Sequence, residues 1–133
     1  MPTNITWKLD LTIPSGPQIS YANSVATHAY DRIEVGIPDS TAAPAATTVD
    51  VQPGAAGKVK LLLIRSSKYG DNLKYKVHDN TAPERALNEA LFLVGAGSVN
   101  LVEDAGAPLD KLLVTNTTGQ DVVLEIIVGR DAT

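Results

Sequence analysis

Apolar and polar side chains alternate from Ile5 through Trp7, Leu9 and Leu11 to Ile13, with Thr6, Lys8, Asp10 and Thr12 between them. Period two is the spacing of a strand with one face in a core and one in water. Pro14-Ser15-Gly16-Pro17 then predicts a turn. Ile19, Tyr21 and Val25 suggest a second, less regular strand, with a bulge or bend at Asn23-Ser24. Alternation returns at Ile33, Val35 and Ile37.

Residues 38–48, PDSTAAPAATT, hold only proline, alanine and small polar side chains, which predicts an exposed loop. Val49 and Val51 read as a short strand before a turn at Pro53-Gly54. KVKLLLIR, from Lys58 to Arg65, alternates at its end but is apolar on both faces at its centre. A turn over Lys68–Asn72 joins it to Leu73, Tyr75 and Val77, so the two segments predict a hairpin. Thr81-Ala82-Pro83-Glu84 has the spacing of a capping box and predicts a short helix over about Pro83 to Ala90. Leu91–Val94 and Val99–Val102 read as strands around Gly95-Ala96-Gly97. Lys111–Thr115 and Val122–Val128 predict a last hairpin around Asn116-Thr117-Thr118-Gly119. Many short strands without alternating full-length helices predict an all-β fold, a β-sandwich or jelly-roll-like barrel of antiparallel strands.

The chain has 133 residues, which suits a single domain spanning 1–133. Its 15 acidic residues against 11 basic ones are scattered, and nucleic-acid binding is not expected without clustered Lys and Arg. There is no cysteine, so disulfides and thiolate chemistry are excluded. No apolar run approaches the roughly 20 residues of a membrane-spanning helix, and the start MPTNITWKLDL lacks the pattern of a secretory signal. No membrane association is expected.

Candidate chemistry is sparse. Gly95-x-Gly97 lacks the third glycine of a dinucleotide loop, since position 100 is Asn, and the segment after it reads as a strand. His28 and His78 lie far apart, with Asp31 and Asp79 near them in sequence, and no HxH-type spacing supports a metal. Ser66, His78 and Asp71 can be assembled on paper into a triad, but no elbow motif marks the serine. The pairs Asp71-Asn72, Asp79-Asn80 and Glu103-Asp104 offer oxygen ligands without the spacing of a calcium loop. Asn4-Ile5-Thr6 and Asn116-Thr117-Thr118 are formal glycosylation triplets. Trp7 and Tyr21 sit on apolar strand faces, where core packing is expected, leaving Tyr69 as the exposed ring. The expectation is therefore no enzyme, no metal and no cofactor.

Leu61–Ile64 and Ile126–Val128 place apolar side chains on both strand faces. One face of each lines the interior; the other needs a cover. A partner chain is the expected cover, with Leu62, Ile64 and Ile127 as interface residues of a homo-oligomer.

Three stretches, ITWKLDLTIPSGPQISY, KVKLLLIRSS and LLVTNTTGQDVVLEIIVGRDA, give the chain a pattern that resembles small phage virion proteins, notably head-decoration (cement) proteins. The resemblance implies a β-rich protein that binds and stabilises a capsid or other virion surface. The major capsid protein or another virion protein is then the partner, and the virion, assembled in the host cytoplasm, the location. It carries over no catalytic residue. The rival expectation is a carbohydrate-binding or adhesin-like β-sandwich module, which needs exposed aromatics or calcium. A cupin-type barrel enzyme would need a histidine cluster that this sequence lacks.

Overall fold

The computed structural model describes residues 3–51, 58–78, 82–102 and 109–131. Ten strands form among them: β1 (Thr3–Thr12), β2 (Gln18–Thr27), β3 (Ala29–Ile37), β4 (Ala46–Asp50), β5 (Val59–Ser66), β6 (Gly70–Val77), β7 (Arg85–Leu87), β8 (Leu91–Val94), β9 (Lys111–Asn116) and β10 (Val122–Arg130). One helical turn, α1, covers Ala96–Val99. Strand takes up 63% of the described residues and helix 4%, so the fold is all-β, as the alternation predicts.

Strands β3 to β10 build two four-stranded antiparallel sheets, ordered β3-β10-β5-β8 and β4-β9-β6-β7. Every connection from β3 onward crosses between the sheets except β6 to β7. This is the strand order of an eight-stranded jelly roll. The inner faces meet in one core. Ile37, Leu62, Ile64, Val122, Leu124, Ile126 and Val128 come from the first sheet; Val49, Leu73, Tyr75, Val77, Leu112 and Val114 come from the second.

Both expected long hairpins are replaced by crossings. β5 pairs with β10 and β8, while β6 pairs with β9 and β7. β9 and β10 likewise stand in opposite sheets. A turn between two one-faced strands suits either arrangement. Crossing lets their apolar faces look at each other across the core instead of lying side by side. The corners are tied by hydrogen bonds. Asn116, fully buried, donates through Nδ2 to the carbonyls of Ile37 (3.1 Å) and Gln120 (2.7 Å), and its Oδ1 accepts from the N–H (3.0 Å) and hydroxyl (2.7 Å) of Thr118. At the other corner the N–H of Ser66 donates to the Tyr69 hydroxyl (3.1 Å), and Tyr69 packs against the core instead of standing exposed.

Local preferences fail in four further places. Residues 85–87 form an edge strand instead of a helix, with Arg85 opposite Tyr75 and Leu87 buried. Thr81, the expected cap, lies outside the described residues. A helix of one or two turns is marginal alone, whereas the open edge of β6 supplies backbone partners. Conversely, Gly95 (φ 90°) opens a helical turn where a strand is expected, and Val99 and Val102, one turn apart, are both buried. No bulge occurs at Asn23-Ser24, since β1 and β2 pair without a break from Thr3↔Thr27 to Thr12↔Gln18. The loop at 38–48 is shorter than expected, because β4 begins at Ala46. The turn expected at Pro53-Gly54 lies outside the described residues.

Candidate interaction surface

β1 and β2 pair only with each other, as a separate two-stranded sheet. The turn between them is prepared by Pro14. Proline presets the first central position, Ser15 takes φ 59°, and the N–H of Gly16 donates to the Ile13 carbonyl at 2.9 Å. Residues opposite each other across an antiparallel pair share a face. One face of the hairpin therefore carries Ile5, Trp7, Leu9 and Leu11 beside Val25, Asn23, Tyr21 and Ile19. The other carries Thr6, Lys8, Asp10 and Thr12 beside Ser24, Ala22, Ser20 and Gln18.

The root of this hairpin is seated on the outer face of the β3-β10-β5-β8 sheet. A Cβ built on Gly129 would lie 2.9 Å from Ile5 Cδ1 and 3.0 Å from Thr27 Cγ2, so the missing side chain makes room for the hairpin. Leu61, on the outer face of β5, is 2% exposed beneath it. Trp7 meets Phe92 of edge strand β8 edge-on at 5.6 Å and Tyr21 at 5.2 Å. Its indole Nε1–H is buried without a hydrogen-bond partner. Around the root, the N–H of His28 donates to the Arg130 carbonyl at 3.0 Å. Asp131 pairs with Lys60 (3.0 Å) and His28 (3.3 Å). Arg130 pairs with Asp31. The hydrogen bond from Lys60, aided by its charge and by His28, holds the Asp131 carboxyl below the usual carboxylate range.

Beyond Trp7 the hairpin leaves the body. Every residue from Lys8 to Ser24 is exposed. The five pairs from Lys8↔Ala22 to Thr12↔Gln18 span about 17 Å of strand. The face that is seated at the root is uncovered here. Leu9, Leu11, Ile13, Ile19 and Tyr21 are 43–51% exposed, and Phe92 is 39% exposed at the foot of the same surface. Several large apolar side chains together in water mark a contact surface, whereas one alone would not.

A charged group occupies the middle of the outer face. Glu125 lies between Arg32 of β3 and Arg65 of β5, accepting from Arg32 Nε at 2.8 Å and pairing with Arg65 at 3.2 Å. The hydrogen bond and charge of Glu125 raise the Arg32 guanidinium above its ordinary value. Tyr30 and Val123 are also exposed on this face, but the hairpin gathers five large apolar side chains together.

The structure separates the residues expected at an interface. Leu62 and Ile64 are 0% and 1% exposed and point into the inter-sheet core. On β5 it is Leu61 and Leu63 that face outward, since Gly129 and Ile127 stand opposite them. Ile127 does lie on the outer face, lining a shallow groove with Thr3, Asn4, Ile5 and Tyr30 at the hairpin root. Much of the second face of β5 is thus covered by the chain's own hairpin. Neither Trp7 nor Tyr21 belongs to the inter-sheet core: Tyr21 is half exposed, and Trp7 is partly buried against Phe92 at the hairpin root.

Each histidine meets a carboxylate distant from it in sequence. His28 meets Asp131, and His78 Nδ1 meets Asp110 Oδ1 at 2.8 Å. Asp31 pairs with Arg130 instead, and Asp79 lies outside the described residues. Among the described residues no group of three or more His, Cys, Asp or Glu is placed to hold a metal ion. The paper triad is not assembled: His78 is engaged by Asp110, Asp71 accepts from Asn88, and the Ser66 hydroxyl accepts from the N–H of Lys68. Asp79-Asn80 and Glu103-Asp104 fall outside the described residues. Asn116 is engaged at both amide atoms inside the fold, so the folded chain does not offer it as a glycosylation acceptor. The projecting half of the hairpin is what sequence reasoning missed. Its signal was present in the charge-free alternate positions from Leu9 to Tyr21, but a strand seated on a core gives the same signal.

Fold and surface together define a class: an all-β, jelly-roll protein with an apolar hairpin standing off one sheet. No protein-family model matches the chain, and neither a curated protein nor a solved structure matches it.

Proposed function

We propose that this chain is a structural protein of a larger assembly, a capsid-decoration protein that binds and stabilises a virion surface and associates with its own kind. The observation that carries the reading is the hairpin, which holds half-exposed leucine, isoleucine and tyrosine side chains clear of the body. Such a surface is costly in water and gains from contact with another protein surface. The jelly roll fits the reading, since the architecture serves in capsid proteins, though it also serves in lectins and by itself names no function. The sequence resemblance to head-decoration proteins points the same way.

The trio Trp7, Tyr21 and Phe92 favours a second reading, a carbohydrate-binding module, because the exposed rings of Tyr21 and Phe92 can stack on sugars. It is the weaker one: the trio continues into aliphatic Leu9, Leu11 and Ile19, which offer a sugar no hydrogen bonds.

The test is rebinding. Particles encoded by the same genome, stripped of this chain and then supplied with the purified protein, are expected to regain it at fixed stoichiometry and to withstand higher temperature. Absence of the chain from purified particles, together with binding to soluble glycans, would replace the proposal with its rival.

A further inference from the structure

We propose that the projecting half of the hairpin is a self-association surface, on which the face bearing Leu9, Leu11, Ile19 and Tyr21 packs against the same face of a second copy about a twofold axis. The inference rests on the reading that this chain acts through contact between protein surfaces, and it names the partner of that hairpin as another copy.

Charge is the first argument. The partner must tolerate a face that bears no charged group. Lys8 and Asp10 lie on the opposite face, where they pair at 3.6 Å and Asp10 also accepts from the Ser20 hydroxyl at 2.6 Å. Two copies can therefore meet apolar face to apolar face without bringing like charges together, even though each has a net charge of -4. Pattern is the second argument. Leu9 stands opposite Tyr21 and Leu11 opposite Ile19, so large side chains form two adjacent rows. A twofold axis sets such rows against their own copies, which is the self-complementarity an isologous contact requires.

Area is the third argument. The half-exposed side chains of one hairpin, with Phe92 at their foot, leave on the order of 500 Å² of apolar surface. Two such faces bury on the order of 1,000 Å², the lower bound of a specific interface. Packing by faces also explains more than pairing by strand edges. β1 and β2 each have an edge that no other described strand pairs, but adding a strand there would leave the apolar side chains in water. Face packing also extends what the chain already does at the hairpin root, where Ile5 and Trp7 of this same face are seated on Gly129 and Phe92.

The absence of cysteine makes the test direct, because one introduced thiol reports alone. Sedimentation equilibrium on the isolated protein is expected to show a dimer by about 0.1 mM, and the double variant Leu11→Ser, Ile19→Ser to raise the dissociation constant roughly tenfold or more. Circular dichroism and Trp7 fluorescence of that variant are expected to match the parent. A short bismaleimide is expected to cross-link Leu11→Cys but not Ser20→Cys, which lies on the opposite face. A parent protein monomeric at that concentration, a dimer that the double variant leaves intact, or equal cross-linking from both faces each overturns the proposal. A monomer whose double variant loses rebinding to particles assigns the face to the particle, so this proposal falls and the virion-binding part of the functional reading stands. A hairpin-dependent dimer that never binds particles does the reverse.

Discussion

Gly129 of β10 lies directly beneath Ile5 of β1, so near that a single added methyl group would sit 2.9 Å from Ile5 Cδ1. The contact joins the two ends of the described chain and fixes where the hairpin leaves the sheet. The Ile5 methyl end can swing aside, but Thr27 Cγ2, 3.0 Å away on a stiff β-branched side chain, cannot do so cheaply. Gly129→Ala is therefore expected to destabilise the fold by about 1–2 kcal/mol, the usual cost of overpacking. Trp7, the sole tryptophan, should then emit at longer wavelength as it lifts from Phe92. Unchanged emission and unchanged urea midpoint would show that the root is not seated there.

Leu62 and Ile127 stand on opposite faces of their sheet, and truncation should tell them apart. Leu62→Ala is expected to cost about 2–5 kcal/mol, since it opens a cavity in the inter-sheet core. Ile127→Ala, at the partly exposed groove, should cost clearly less in the isolated protein. Equal losses in denaturant titrations would contradict the assignment of faces.

Asn116 makes four hydrogen bonds at the β9–β10 corner with both amide atoms used. Asn116→Ala strands the buried Ile37 carbonyl and leaves a void. A loss of about 2–4 kcal/mol is expected, seen as a fall in Tm of roughly 3–5 °C per kcal/mol. Asn116→Asp should also destabilise, because a carboxylate cannot donate to the Ile37 and Gln120 carbonyls. A variant as stable as the parent would mean that the corner is held by its backbone alone.

Two carboxylates are expected to make stability fall in acid. The Thr41 hydroxyl, with the N–H groups of Gly119 and Thr41, holds Asp39 below its ordinary value, and Lys60 with His28 does so for Asp131. A carboxyl whose pKa is lower folded than unfolded contributes stability that is full above its unfolded pKa and is lost as pH falls through the folded one. Tm should therefore be flat above about pH 5 and decline below about pH 4. Asp39→Asn and Asp131→Asn should each flatten the decline, measured by thermal melts across the acid range. An unaltered slope in the double variant would remove these groups from the acid limit.

Much of the fold was legible in the residues themselves. Period two at Ile5–Ile13, Ile33–Ile37 and Leu73–Val77 specifies strands because successive side chains point to opposite sides, and Pro14 specifies its turn because proline presets the first central position, while the positive φ of Ser15 is a structural outcome. These are local facts, set within a few residues of chain. Only the tertiary structure decided the rest. Whether β5 and β6 fold back as a hairpin or cross to opposite sheets depends on where the remaining apolar faces lie, as does the choice of strand over helix at Arg85–Leu87. The same holds for Leu62, Trp7 and Tyr21. Alternation says that a face is apolar and is silent on what covers it. For Leu62 the cover is the second sheet, for Trp7 it is Phe92, and for Tyr21 half the ring is left in water. Cover comes from segments distant in sequence, so it is fixed only when the whole chain has packed.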